Sequence, residues 1–474
     1  MLEQFSKIDI SIIIAYLIFI LFIGFRLLRD SKSDLSSFLL AGRRLSLPSF
    51  IATLVSTWYG GILGVGEFTY QYGISNWLVF GVPYYLAAAI FALFIARKAR
   101  RLNLTTIPEQ LERHYGKTAS IIGAFFVFVT TVPAAYVLMF AVLLEFICGL
   151  PLIWGLLLGT VFSTSYVFIG GFRSVVRTDY VQFGLMFGSF MLILPVAWFQ
   201  YGGWQFLCAN LPATHFLWHG GNGAQYIIVW YFIALATLVE PGFYQRCFAA
   251  RSEKVAQRGI LFSILFWIFF DFMTTFTGLY ARAILPDLQN PVTTYLALAV
   301  KLLPPVALGF FVTGLLATIM STIDSYSFLA ATTFGRDLLW RLLNRQDEIR
   351  IRKYSNIGLV ISGILSIIIA YWAQSIIKIW KDLGSIGTPA LVIPLVVSFS
   401  KKFKMSRIAV LISMPGSALI SGLWIWSKTQ TASGSYFMGI EPIYPGLLFS
   451  IFVFLIDYFL QRFYKSTKNS TLSC

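Results

Sequence analysis

The sequence predicts an all-α integral membrane protein of about thirteen transmembrane helices. Three observations carry this. Hydrophobic residues make up 58% of the 474-residue chain and charged residues only 12%, against roughly 25% charged in a soluble protein. Apolar runs of about 20 residues, each long enough to cross a bilayer as a helix, recur along the whole length. Lys and Arg alternate in density between successive connecting segments, as topology demands of a chain that crosses repeatedly.

The spans fall near residues 8–28, 46–72, 74–97, 119–148, 151–170, 179–201, 225–246, 257–285, 304–334, 354–373, 382–400, 407–427 and 443–463. The first is too long in its apolar core, and lacks the small-residue cleavage site, to be a removed signal peptide. The segments after spans 1, 3, 5, 7, 9 and 11, with the C-terminal tail, hold 30 of the 36 Lys and Arg residues; Lys7, Arg282, Lys301, Lys378, Lys381 and Lys428 lie on the other side. Basic segments stay in the cytoplasm, so the expected orientation is N-terminus outside and C-terminus inside, in a plasma membrane (the inner membrane of a bacterium). The net charge of +16 is then topological and lipid-facing, and no nucleic-acid partner is expected. Cysteines 148, 208, 247 and 474 show neither CxxC pairing nor metal-ligand spacing.

Two spans are interrupted. Span 2 holds Gly60, Gly61, Gly64 and Gly66; span 7 holds Glu240, Pro241 and Gly242. Such glycines also serve close helix packing. Spans five apart run in opposite directions, however, so spans 2–6 and 7–11 are expected to form an inverted repeat, with broken helices flanking a midplane site. The organisation is then 1–45 for a flanking helix and first inner loop, 46–223 for the first repeat, 224–402 for the second, and 403–474 for C-terminal flanking helices and tail.

Span 9 concentrates oxygen. Thr318, Ser321, Thr322 and Ser325 are spaced to share one helix face, with Asp324 reachable from Ser321. Hydroxyls and a carboxylate are ligands for a hard cation such as Na⁺. Ser and Thr also bond back to their own helix in membranes. An Asp at the centre of a membrane helix costs roughly 2.5–3.5 kcal/mol on insertion scales, which favours a functional reading of Asp324. Elsewhere at depth stand Glu67, Asp179, Glu145 and Asp271. Glu145 reads as interfacial, and Asp271, among aromatics, either bonds a neighbouring helix or serves function. His114, His215 and His219 fall outside the spans, which leaves no histidine proton relay.

Five stretches in order, SSFLLAGRRLS (36–46), TIPEQLERHYG (106–116), GGFRSVVRTDYVQ (170–182), YQRCFAARSEKVAQRG (244–259) and ATIMSTIDS (317–325), resemble the sodium:solute symporter family. The resemblance covers about residues 36–340 by motif and the rest by span count. It implies a LeuT-type fold of two inverted five-helix repeats, and Na⁺-driven uptake by alternating access. It also implies a Na⁺ site between spans 2 and 9: hydroxyls of Ser321 and Thr322, the carbonyl of Thr318, and carbonyls of Ser56 and Tyr59. Trp58 stands where some members carry an Asp, so that contact is absent. Some members have a further cation site, which falls here on Asp179, Ser321, Asp324 and Ser325. Asp324 departs from the family's usual hydroxyl, and two close carboxylates need a cation or proton between them.

In the inverted-repeat arrangement the middles of spans 2 and 7 face each other. That puts Trp58, Gly61 and Glu67 opposite Ala236, Thr237 and Glu240, with Phe80, Tyr84 and Tyr136 closing a substrate cavity. Glu240 either satisfies backbone groups freed by Pro241 or meets the solute. The expected function is a Na⁺-coupled symporter importing a small polar organic solute, using one or two Na⁺ and no organic cofactor, in the lipid bilayer as a monomer and without enzyme activity. The alternatives are a proton-coupled transporter of the same fold and a transporter-like sensor or receptor module.

Overall fold

The computed structural model describes residues 5–26, 35–343, 349–430 and 434–471. They form twenty α-helices and no strand among the described residues. In order these are α1 (Lys7–Arg26), α2 (Leu35–Leu40), α3 (Leu47–Trp58), α4 (Ile62–Tyr72), α5 (Val82–Phe91), α6 (Arg97–Arg101), α7 (Ile107–Tyr115), α8 (Lys117–Thr131), α9 (Ala134–Cys148) and α10 (Leu152–Tyr201). The second half comprises α11 (Trp204–Asn210), α12 (Ala224–Ile233), α13 (Pro241–Ala249), α14 (Glu253–Ile284), α15 (Thr294–Leu302), α16 (Ala307–Thr332), α17 (Ile349–Ala373), α18 (Ile376–Ser398), α19 (Arg407–Ser427) and α20 (Ile443–Thr471).

Eleven helical stretches among the described residues are long and apolar enough to cross a membrane, two fewer than the thirteen spans expected. The physical reasons are local. Span 5 is represented by the shorter apolar stretch Leu152–Val167, which continues through Gly171, at φ 59° and ψ −156°, into span 6 as one kinked helix. Span 11 corresponds to α18, whose first two turns carry Lys378, Lys381 and Asp382, and whose later turns hold Pro389 and Pro394. Span 4 is also not one helix. Pro133 lacks an amide hydrogen, Val132 before it is extended, and the chain breaks between α8 and α9. The short α15 was not anticipated.

Both expected interruptions are present. A 3-10 turn, Tyr59–Gly61, separates α3 from α4. A second, Ala234–Val239, followed by extended Glu240, separates α12 from α13. Ser46 caps α3 by accepting a hydrogen bond from the Ser49 amide, with Pro48 in the first turn. At the second break Glu240 caps α13 and Pro241 occupies its first position.

Helix α16 is the centre of the bundle: 89% of the most apolar stretch of Ala307–Trp340 is buried, against 22% for Ile443–Phe463 at the periphery. The peripheral helices turn apolar residues outward, among them Ile18, Trp198, Ile364 and Phe459. This is the expected inversion for a protein solvated by lipid.

Segments assigned to one side by their charge meet at one end of the bundle. The Leu45 amide donates to Ala249 O and the Arg251 amide to Leu45 O, both at 3.0 Å. Arg101 pairs with Glu253 at 2.8 Å and Arg336 with Glu109 at 3.1 Å. Segments of the other group meet at the opposite end, where the Ile74 amide donates to His215 O at 3.0 Å and Lys381 pairs with Glu441 at 2.7 Å.

Candidate functional site

The break between α3 and α4 lies directly against α16. A Cβ at Gly60 would collide with Thr322, and one at Gly61 with the indole of Trp380; glycine here allows the backbone to approach. The interruption frees helical carbonyls. One is taken by Thr322, whose Oγ1 donates to Thr57 O at 2.7 Å. Ser321 Oγ donates to Asp179 Oδ1 at 2.6 Å. These two hydroxyls therefore reach off their helix. Thr318 and Ser56 do not: their hydroxyls bond back to Gly314 O and Ala52 O, at 2.7 and 2.8 Å. Tyr59 sits in the break with its hydroxyl donating to Asp271. All five residues are buried. Carbonyl and hydroxyl oxygens in a dry setting fit a hard monovalent cation, and each hydroxyl keeps lone pairs after donating its hydrogen.

Beside this lies a cluster that sequence reasoning only half anticipated. Asp179 accepts from Ser321 and from Thr53. Arg246, fully buried, faces it at 3.9 Å. The same Nη2 lies within hydrogen-bond distance of Thr57 Oγ1 at 2.8 Å, Ser325 Oγ at 2.9 Å and Thr53 Oγ1 at 3.0 Å, which share its two hydrogens. The structure thus brings Asp179, Ser321 and Ser325 together, but around a guanidinium. Asp324 is not part of this hydrogen-bonded group. Its Oδ2 accepts from the Tyr166 hydroxyl, and Oδ1 has no hydrogen-bond partner among the described residues. Arg246 is buried because every residue of α13 is buried.

A cavity of about 210 Å³ opens between the two broken helices. Of the nine expected substrate residues, Trp58, Gly61, Phe80, Tyr84, Tyr136, Ala236 and Glu240 line it. Glu67 and Thr237 are not among its lining residues; Thr237 is fully buried away from it. Sequence reasoning did not assign Tyr85, Trp267, Asp271, Tyr326 and Trp380 to this wall. Asp271 was the legible one among them, as a carboxylate in an aromatic run. Its two oxygens accept from the hydroxyls of Tyr59 and Tyr85. Glu240 accepts from the Gly242 amide at 3.2 Å. Trp58 packs on Tyr84 and Trp267 with ring centroids 5.7 and 5.6 Å apart, and Tyr136 on Tyr326 at 5.2 Å.

The chain is similar to known proteins along nearly its whole length. The chain is 26% identical to the sodium/pantothenate symporter of Escherichia coli (strain K12) over 483 residues, covering 97% of each chain. It is 25% identical to sodium/proline symporter 2 of Staphylococcus saprophyticus, covering 96% of this chain and 92% of that one. Among solved structures it is similar to a substrate-bound, outward-open Na⁺-coupled sialic acid symporter, with a TM-score of 0.78, 16% identity and coverage of 96% and 97%. A nucleobase-cation-symport-1 family transporter in a closed conformation gives a TM-score of 0.60 at 14% identity, with coverage of 92% and 96%. These likenesses show a LeuT-type fold in a multi-pass membrane protein. The sodium:solute symporter family profile matches residues 38–414, and with that match over most of its length the chain belongs to the sodium:solute symporter family.

Proposed function

We propose that the protein couples inward Na⁺ movement to the import of a small polar organic solute by alternating access. The observation that carries this reading is the close approach of the broken α3–α4 helix to α16, where Thr322 already bonds a carbonyl of the break. Na⁺ would be held by the hydroxyls of Ser321 and Thr322 with carbonyls of Ser56, Tyr59 and Thr318. Bound there, it would tie the second broken span to the central helix, and its release would let them part. The solute would occupy the cavity between the broken helices, which Tyr59 joins to the cation site from its position in the break.

We favour a single Na⁺ over a second one at Asp179, Ser321, Asp324 and Ser325. Arg246 already supplies a positive charge to Asp179 and Ser325, and Asp324 bonds Tyr166 instead. The inverted repeat of residues 46–223 and 224–402, with flanking segments 1–45 and 403–474, is the proposed frame of the motion, in a monomer with a cytoplasmic C-terminus. The named relatives' solutes, pantothenate and proline, support the class of small organic solute.

The test is uptake into proteoliposomes. Ser321→Ala or Thr322→Ala should each raise the Na⁺ concentration for half-maximal uptake several-fold, since each removes one oxygen from a small shell. Unchanged Na⁺ dependence in both variants refutes the site, and uptake driven by a pH gradient without Na⁺ favours the proton-coupled alternative.

A further inference from the structure

The charge of the solute is readable from the cavity wall. Among the described residues, only two lining side chains belong to the charged residue types, Glu240 and Asp271, both carboxylic, and no Lys, Arg or His lines the cavity. They come from different elements, Glu240 from the break before α13 and Asp271 from the middle of α14. Tyr59 and Tyr85 give Asp271 hydrogen bonds, and the Gly242 amide gives one to Glu240. These bonds satisfy lone pairs but bring no positive charge. A carboxylate withdrawn from water takes up a proton unless a cation stands beside it, and a cationic solute would supply that cation.

Among the described residues none furnishes that cation in the cavity lining. Arg246 lies outside the lining, where its Nη2 faces Asp179 and its Nη1 stands with Glu240 Oε1 beside Gly242; it backs Glu240 from behind the wall, and Asp271 is the carboxylate left for a solute cation to balance. Ser321 and Thr322 are also outside it, and of the five proposed Na⁺ ligands only Tyr59 is in the lining. An anionic solute would meet two carboxylates and no basic group. A cationic one would meet two carboxylates and aromatic rings, whose faces attract cations. Trp58, Tyr84 and Trp267 form one aromatic wall, Tyr136 and Tyr326 another. Trp267 is buried behind Trp58 in this wall.

We infer that the solute is an organic ammonium ion, a protonated or quaternary amine with an apolar body, held between Glu240 and Asp271 within the aromatic walls. This deepens the symport reading and, as a statement about transport, rests on it; the binding test does not.

The test measures binding to the purified full-length protein in Na⁺ by thermal shift and equilibrium dialysis. The probes are choline and tyramine as cations, dimethylbutanol and tyrosol as uncharged counterparts of similar shape, and hydroxyphenylacetate and pantothenate as carboxylates. At least one cation is expected to bind about tenfold or more tightly than its uncharged counterpart. Glu240→Gln should weaken that cation by about tenfold, the scale of one lost charge-assisted hydrogen bond, while Glu240→Asp keeps the preference for charge. Failure of both cations to bind, or a carboxylate binding at least as tightly as the better cation, overturns the proposal in the wild-type protein, whatever the variants do. The two readings fail separately. A carboxylate carried with Na⁺ leaves symport standing and refutes the ammonium solute; an ammonium ion bound and carried with no Na⁺ dependence does the reverse.

Discussion

Arg246 holds a position that chemistry makes expensive: a guanidinium with no exposure, in the inner part of a membrane bundle. It is tolerated because its Nη2 sits among three hydroxyls and faces Asp179. Removing one member of a buried pair leaves the other uncompensated, at a cost of about 3–5 kcal/mol. Asp179→Asn is therefore expected to lower thermal stability strongly in detergent, and Asp179→Asn combined with Arg246→Gln to recover part of the loss. Were Asp179 instead a ligand to a second Na⁺, the single variant would reduce the charge moved per solute, and the double variant would restore nothing. At this scale the sequence was legible where residue type implied chemistry. Ser321 and Thr322 stood out as hydroxyls on an apolar helix. Arg246 did not, because a basic residue at the end of a span is counted with the loop that follows. Only the burial of α13 as a whole separates it from Arg251 and Lys254, which are not buried.

The elements that matter most are the interrupted ones, and glycine and proline announced them. Gly60 and Gly61 in α3–α4 and Pro241 at the start of α13 mark the two breaks. The same logic explains what was missed. Pro133 breaks span 4 between α8 and α9, yet one proline in a long apolar run is also compatible with a kinked continuous helix. Gly171 does the converse, turning the chain sharply while α10 continues across it. Which of the two outcomes follows depends on packing partners, and these are long-range. The close approach at Gly60 gives a direct prediction. Gly60→Ala places a methyl group on Thr322, so the break must shift away from α16. Uptake is expected to fall by an order of magnitude or more, while Gly149→Ala, at a glycine with open space around it, should matter only through its own strained backbone and leave Na⁺ dependence unchanged. Equal Na⁺ responses in Gly60→Ala and wild type would remove the contact from the coupling mechanism.

At the scale of the whole molecule, hydropathy and charge suffice to reveal a helical membrane protein, and pairwise contacts at each end of the bundle agree with the alternation of basic segments. The aromatic wall was not legible. With 17% aromatic residues in the chain, nothing local distinguishes Trp267 or Trp380 on the cavity from Trp198 on the outer surface. The proposed orientation is checked by cysteine labelling in a background lacking the exposed Cys148 and Cys208. An impermeant thiol reagent added to intact cells should label Gly223→Cys and spare Leu343→Cys, both exposed positions; the reverse pattern inverts the assignment. The central claim, a Na⁺ site formed by α16 against the broken second span, is tested most directly without knowing the solute. The measurement is thermal unfolding of purified protein in Na⁺ and in K⁺ at equal ionic strength. A ligand that binds only the folded state stabilises it in proportion to RT ln(1 + [L]/Kd). Wild type should therefore melt at a higher temperature in Na⁺ than in K⁺, rising with Na⁺ concentration, and Ser321→Ala/Thr322→Ala should melt alike in both. Equal melting of the wild type in the two salts, or a Na⁺ response that survives in the double variant, contradicts the account.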